Sequence, residues 1–167
     1  SLEVAENPDD PGGRRISLNI AMAPATGKTS EPDPVFFFAG GPGQAASETW
    51  VMIRPVLNKI RKTRDIIMID QRGTGGSNKL ACKSELEEDL SQELDLELVR
   101  TETEKCLADL DGDPRFYTTT IAMGDYDRVR QAMGYEKINI MGVSYGTRSA
   151  QVYLRLFPET VRTVTLD

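Results

Sequence analysis

The residues best suited to chemistry lie in Gly142-Val143-Ser144-Tyr145-Gly146, a serine set between two glycines at the end of the apolar run Ile-Asn-Ile-Met (138–141) and just ahead of TRSAQVYLRLF. Where a strand turns at once into a helix, side chains two residues before and two after the turning residue collide, which is why glycine suits positions 142 and 146. Ser144 is then pushed above the edge of a sheet, its hydroxyl exposed and a helix N-terminus beneath it. That placement suits a nucleophile in acyl transfer. Such a reaction also needs two hydrogen-bond donors aimed at the developing oxyanion. The amide after the nucleophile, that of Tyr145, is one. The other is expected from the loop after an earlier strand, and Gly40-Gly41-Pro42-Gly43 ends the run VFFFA (35–39). Gly41 is assigned as this donor, because Pro42 has no N–H and fixes the backbone beside it. A third string, Asp70-Gln71-Arg72-Gly73-Thr74-Gly75-Gly76-Ser77, follows the next strand on the same sheet edge. Its glycines suit a sharp loop that Asp70 and Arg72 are expected to order through a salt bridge and backbone hydrogen bonds. Asp70 is not assigned as a catalytic acid.

The elements that must position these groups can be read from apolar periodicity. Ile16, Leu18 and Ile20 alternate with polar neighbours, as in a half-buried edge strand. VFFFA, Ile66 to Ile69 and INIM are short continuous apolar runs, the pattern of strands buried on both faces. VRTVTLD, residues 161–167, reads as a fourth such strand. Between them, residues 47–62 carry Trp50, Ile53, Val56, Leu57 and Ile60 at helical spacing, with Pro55 expected to kink the helix. Residues 80–112 are acidic with leucines 86, 90, 94 and 98 at heptad-like spacing, which predicts a largely exposed helix. A helix is also expected over TTTIAMGDYDRVRQAMGY, with Ile121, Tyr126, Val129 and Met133 on one side and a threonine capping its start. Pro158 ends the helix after Ser144. Strands alternating with helices predict an α/β fold with a mainly parallel sheet covered on both faces.

Composition excludes several functions. The 167 residues include 20 basic and 26 acidic side chains, a formal charge of -6, with no basic run suited to nucleic acid or to a membrane surface. No apolar stretch approaches the roughly 18 to 20 residues of a membrane span, and the first residues lack the apolar core of a secretory signal. No metal-ligand cluster or cofactor motif is present, so neither a metal nor a cofactor is expected. Cys82 and Cys106 are the two cysteines. Bridged, they would close a loop with a chain-entropy contribution of about 3 to 4 kcal/mol; from spacing alone, two unpaired thiols are as reasonable.

Taken together in this order and spacing, GGPG, DQRGTGGS and GVSYGT resemble the prolyl aminopeptidase and tripeptidyl aminopeptidase branch of the α/β-hydrolases. The segment around Cys106, the RFYTTT stretch, the helix DYDRVRQAMGY and RLFPETVRTVTLD extend the likeness across roughly residues 14–167. Residues 1–13, acidic and rich in Pro and Gly, read from composition as a leader; the resemblance implies that 14–167 form the N-terminal part of an α/β-hydrolase core domain, lacking the later strands and a helical cap. It implies removal of N-terminal residues from peptides, with Ser144 as nucleophile and the amides of Gly41 and Tyr145 as oxyanion hole. The family's histidine, its acid and its cap carboxylates have no counterpart in these residues. Ala39 stands where many members carry histidine, a change familiar in the tripeptidyl-type branch. Members with cysteines placed like Cys82 and Cys106 resemble exported enzymes. The likeness therefore implies a disulfide and a secreted or periplasmic setting, with a cytoplasmic one as the alternative.

A serine hydroxyl is too weakly acidic to ionise unaided at neutral pH, and the chain contains no histidine. The expectation is thus a serine aminopeptidase whose base and acid come from a second chain or a further segment carrying His and Asp. By itself the chain should be nearly inert. Two alternatives stand beside it: an ester or amide hydrolase acting on a small substrate, and a non-catalytic binding fragment of the fold.

Overall fold

Two apolar runs form the centre of the sheet, β4 (Val35–Phe38) and β5 (Ile66–Ile69), and all eight of their residues are buried. In the computed structural model, which describes residues 1–82 and 96–167, the other strands are β1 (Leu2–Ala5), β2 (Arg15–Leu18), β3 (Ile20–Ala23), β6 (Ile138–Gly142) and β7 (Val161–Leu166). The helices are α1 (Trp50–Leu57), α2 (Leu96–Asp109), α3 (Thr119–Ala132) and α4 (Tyr145–Leu156). The main sheet has the order β3-β5-β4-β6-β7; its β5-β4, β4-β6 and β6-β7 pairs are parallel and β3 is antiparallel to β5.

The strand period of two explains why these runs are apolar throughout. Phe36, Phe38, Ile67, Ile69, Ile138 and Ile140 point to one face, where Ala122, Met123, Tyr126 and Val129 of α3 and Ala150 and Tyr153 of α4 cover them. Val35, Phe37, Ile66 and Met68 point to the other, against Leu57, Trp50 and Ile53 of α1. Phe38 receives the rings of Tyr126 and Tyr153 edge-on, at centroid separations of 4.7 and 5.9 Å. Thr118 caps α3 by accepting from the Ile121 amide.

The sheet departs from the sequence-based expectation at both edges. Ile16, Leu18 and Ile20 do not share a strand. Asn19 breaks the run, because its amide donates to Ser77 Oγ and its carbonyl accepts from the Asp70 amide. β2 therefore pairs with β1 in a separate two-stranded sheet, while β3 joins the main one. Residues 1–13, read from composition as a leader, contain β1, and its Val4 and Ala5 are buried. At the far edge β7 contains no fully buried residue, unlike the expected buried strand, because among the described residues it has a partner strand on one side only. The expected helix over 47–62 stops at Leu57, two residues past Pro55, and a single 3₁₀ turn (Ile60–Lys62) follows. Val56 and Ile60, expected on its buried face, are 68% and 41% exposed.

α2 accounts for the exposed helix expected within 80–112, and Leu98 on it is exposed; Leu86, Leu90 and Leu94 lie outside the described residues. Cys106 on α2 is disulfide-bonded to Cys82, with their Cα atoms 5.4 Å apart.

Two charged networks tie the elements together. Arg72 is completely buried, and all five of its N–H groups have acceptors. Nε and one Nη form a fork on the Asp125 carboxylate at 2.6 and 2.8 Å, and the remaining hydrogens reach the carbonyls of Ala5, Glu6 and Phe116. Arg72 thus joins the N-terminal hairpin to α3. Burial raises the Asp125 pKa despite the adjacent guanidinium. At the opposite end of the sheet, Asp33 accepts from Arg64, Asn139 and Arg162, at 3.1, 2.7 and 2.9 Å. Burial alone would raise the pKa of Asp33, but the hydrogen bonds from Arg64 and Asn139 and the two guanidinium charges outweigh it and hold it down to about 2.

Removing one partner of a buried ion pair strands the other, so Arg72→Leu should destabilise by about 3–5 kcal/mol in urea unfolding. The double change Arg72→Leu/Asp125→Leu should cost less than the sum of the single changes by more than about 0.5 kcal/mol; simple additivity would contradict the pairing. The lowered pKa of Asp33 means that its contribution to stability is complete above the ordinary value of 3.8 and is lost as pH falls through about 2. Asp33→Asn should therefore lower the thermal midpoint at neutral pH and flatten its decline between about pH 4 and 2. A parallel decline in parent and variant would rule this out.

Candidate active site

The turn between β6 and α4 is built as the spacing of its glycines requires, though the two act against different neighbours. A Cβ on Gly142 would lie 2.5 Å from the carbonyl oxygen of Gly146. A Cβ on Gly146 would run into the backbone of Phe38 and Ala39 at the end of β4. Gly142 therefore lets the turn close on itself, and Gly146 lets α4 begin against the central strand. Ser144 takes up the resulting strain, with φ 53° and ψ -120°, a left-handed φ uncommon outside glycine.

Hydrogen bonds hold that conformation. The Ser144 amide donates to the Asp167 carbonyl at 2.8 Å, and the Asp167 amide donates to Gly142 at 3.0 Å, so the end of β7 clamps the turn. The Gly146 and Thr147 amides return to the carbonyls of Val143 and Ser144. Tyr145 is the first residue of α4, and an amide there has no acceptor within the helix. Its side chain is fixed by a 2.7 Å hydrogen bond between its hydroxyl and Thr119 Oγ1 at the start of α3. Ser144 itself is exposed.

The loop after β4 passes directly beside this serine. A Cβ on Gly40 would sit 3.2 Å from Ser144 Cβ and 3.3 Å from the Val143 carbonyl oxygen, tighter than ordinary contact. Gly41 follows at φ 100° and is exposed, and the Gly41–Pro42 peptide is cis. Ser144, Tyr145 and Gly41, named from separate stretches of sequence, are thus carried by adjoining turns at the C-terminal edge of the parallel strands.

Asp70 braces the far end of the Gly40 loop. One of its oxygens accepts from the Ser47 amide at 2.9 Å; the other accepts from Ser47 Oγ, Asn19 Nδ2 and the Gly76 amide. The expected salt bridge between Asp70 and Arg72 does not form. Asp70, 1% exposed, is held by neutral donors, and Arg72 turns away to Asp125. Gly75, at φ 49°, is needed because a Cβ there would press on the Asp70 carboxylate and on Ala45. Sequence reasoning missed Asn19 and Asp125. A signal existed for Asp125, which stands four residues from both Ile121 and Val129, on the apolar side of α3, whereas Asn19 fits the alternating run as one of its polar members.

Among the described residues no group of three or more His, Cys, Asp or Glu side chains could hold a metal ion, and no helix is long and apolar enough to cross a membrane.

Similarity to known proteins agrees with this geometry. A family model described as the alpha/beta hydrolase fold matches residues 33–167. The tripeptidyl aminopeptidase of Streptomyces lividans is 28% identical over 173 residues, covering 94% of this chain and 32% of that protein. Serine protease Hip1 of Mycobacterium tuberculosis (strain ATCC 25618 / H37Rv) is 28% identical over 181 residues, covering 99% of this chain and 34% of that protein. The chain thus spans about a third of the length of these curated relatives. Among solved structures, the esterase EaEST of Exiguobacterium antarcticum superposes with a TM-score of 0.56 at 16% identity, over 90% of this chain and 41% of that one; this likeness concerns the fold alone. From the match over residues 33–167 and the architecture it describes, the chain belongs to the α/β-hydrolase fold family.

Proposed function

We propose that this chain supplies the nucleophile and oxyanion hole of a serine aminopeptidase, with Ser144 attacking the carbonyl of a peptide bond near a free N-terminus. The observation that carries the reading is the exposed Ser144, held at a strained positive φ beside Gly40 and at the head of α4. In the reaction Ser144 Oγ bonds to the carbonyl carbon and its proton passes to a base. The oxyanion accepts hydrogen bonds from the amides of Gly41 and Tyr145, the C–N bond breaks, and the proton goes to the leaving amine. Water then releases the acyl group from Ser144. The base and its acid are assigned to a further segment or second chain carrying His and Asp, since this chain has no histidine.

The aminopeptidase reading draws on the relatives named tripeptidyl aminopeptidase and serine protease, each matched over nearly the whole of this chain. An exported setting is proposed from the disulfide between Cys82 and Cys106, since such bonds persist in oxidising compartments.

In a protein comprising this chain and the histidine-bearing remainder, peptide amides with a free N-terminus should be cleaved, and N-acetylated versions should be poor substrates. Ser144→Ala should lower kcat by about 10³-fold or more. Equal turnover of blocked peptides, or of simple esters in preference to either, would favour a general ester and amide hydrolase instead. Retention of full activity by Ser144→Ala would refute the nucleophile assignment. The isolated chain should show no turnover.

A further inference from the structure

A small cavity lies between the turns of the candidate site. Gly43 and Gln44 of the loop after β4, Gln71 and Thr74 of the loop after β5, and Tyr145 and Ser149 of α4 all line it. Its volume, measured to the centre of a water-sized sphere, is about 10 Å³. That matches about one water molecule, and a peptide or acyl group does not fit.

One lining group has an unmet requirement. Ser149 is 2% exposed, and among the described residues its Oγ is a fully buried side-chain polar atom without a hydrogen-bond partner. Buried hydroxyls are nearly always paired, because an unpaired one loses its solvation without replacement. A water also needs two to four polar partners, and Gln44, Gln71 and Thr74, residues with side chains able to supply them, border the cavity from the two loops. Thr74 Oγ1 already donates to the Gln71 carbonyl at 2.8 Å, which leaves its lone pairs to accept.

We propose that this cavity is a binding site for a single ordered water, hydrogen-bonded to Ser149 Oγ and to polar groups of the loops after β4 and β5. The water tethers α4, whose first amide is that of Tyr145, to the loop that carries Gly41. The site itself stands on the cavity and on Ser149; only its consequence for the oxyanion hole rests on the acyl-transfer reading.

The test is a crystal structure of the protein at a resolution that orders water, together with thermal unfolding of Ser149→Ala. A density peak within about 3.2 Å of Ser149 Oγ and of at least one group on either loop is expected. Absence of the peak overturns the proposal. If the hydroxyl is hydrated, alanine removes a satisfied group, and the midpoint should fall or rise by less than about 3 °C. A larger rise identifies an orphaned hydroxyl whose removal relieves the fold, and also overturns the proposal. Neither measurement involves activity, so failure here leaves the assignment of Ser144 untouched.

Discussion

The contact on which the rest of the structure depends is the one between Gly146 and the backbone at the end of β4. A side chain at 146 would collide with Phe38 and Ala39, so only glycine lets α4 start this close to the central strand. From that start the helix lays Ala150 and Tyr153 onto Phe38 and the strands beside it. The turn preceding the helix has little room, and Ser144 is driven to a positive φ with its side chain outward. Because β4 lies next to β6 in the sheet, the loop leaving β4 emerges beside the same turn, which brings Gly40 against Ser144. Exposure of the serine, its strain and its neighbours therefore share one steric origin.

Buried charges then fix what packing alone leaves loose. At the C-terminal edge of the sheet Asp70 joins the loops after β4 and β5 through neutral donors, while Arg72 reaches past them to Asp125 and to the N-terminal hairpin. At the N-terminal edge Asp33 gathers Arg64, Asn139 and Arg162 across the bases of β6 and β7. A buried ion is tolerated only with a full set of partners, so each of these residues constrains every segment it touches. Relative to a purely apolar core, such networks add directional demands. The loops around Ser144 are accordingly positioned from several elements at once.

Much of the sheet and the turn could be read directly from residue order. The runs VFFF, IIMI and INIM announced strands buried on both faces, and the glycines around Ser144 announced the turn, because those features follow from local sterics and the period of two. What escaped the reading depends on partners far away in the chain. Asn19 ends a strand because Ser77 and Asp70 claim its backbone and side chain, and nothing near residue 19 states that. Arg72 and Asp70 stand two residues apart with opposite charge, yet burial assigns Arg72 to Asp125, 53 residues away. Val56 and Ile60 have the spacing of a buried face but no covering layer among the described residues, so periodicity pointed to packing that those residues do not provide. The same holds for β7, which has the composition of an interior strand and the position of an edge.

The central claim is that Ser144, among all the serines of this chain, acts as the nucleophile once a histidine base is provided. The most direct measurement is to treat the active protein containing this chain with a fluorophosphonate and to locate the adduct by peptide mass mapping. The account predicts a single stoichiometric adduct on Ser144, blocked by prior incubation with a peptide substrate. An adduct on another residue, or complete inactivation with Ser144 unmodified, would contradict it.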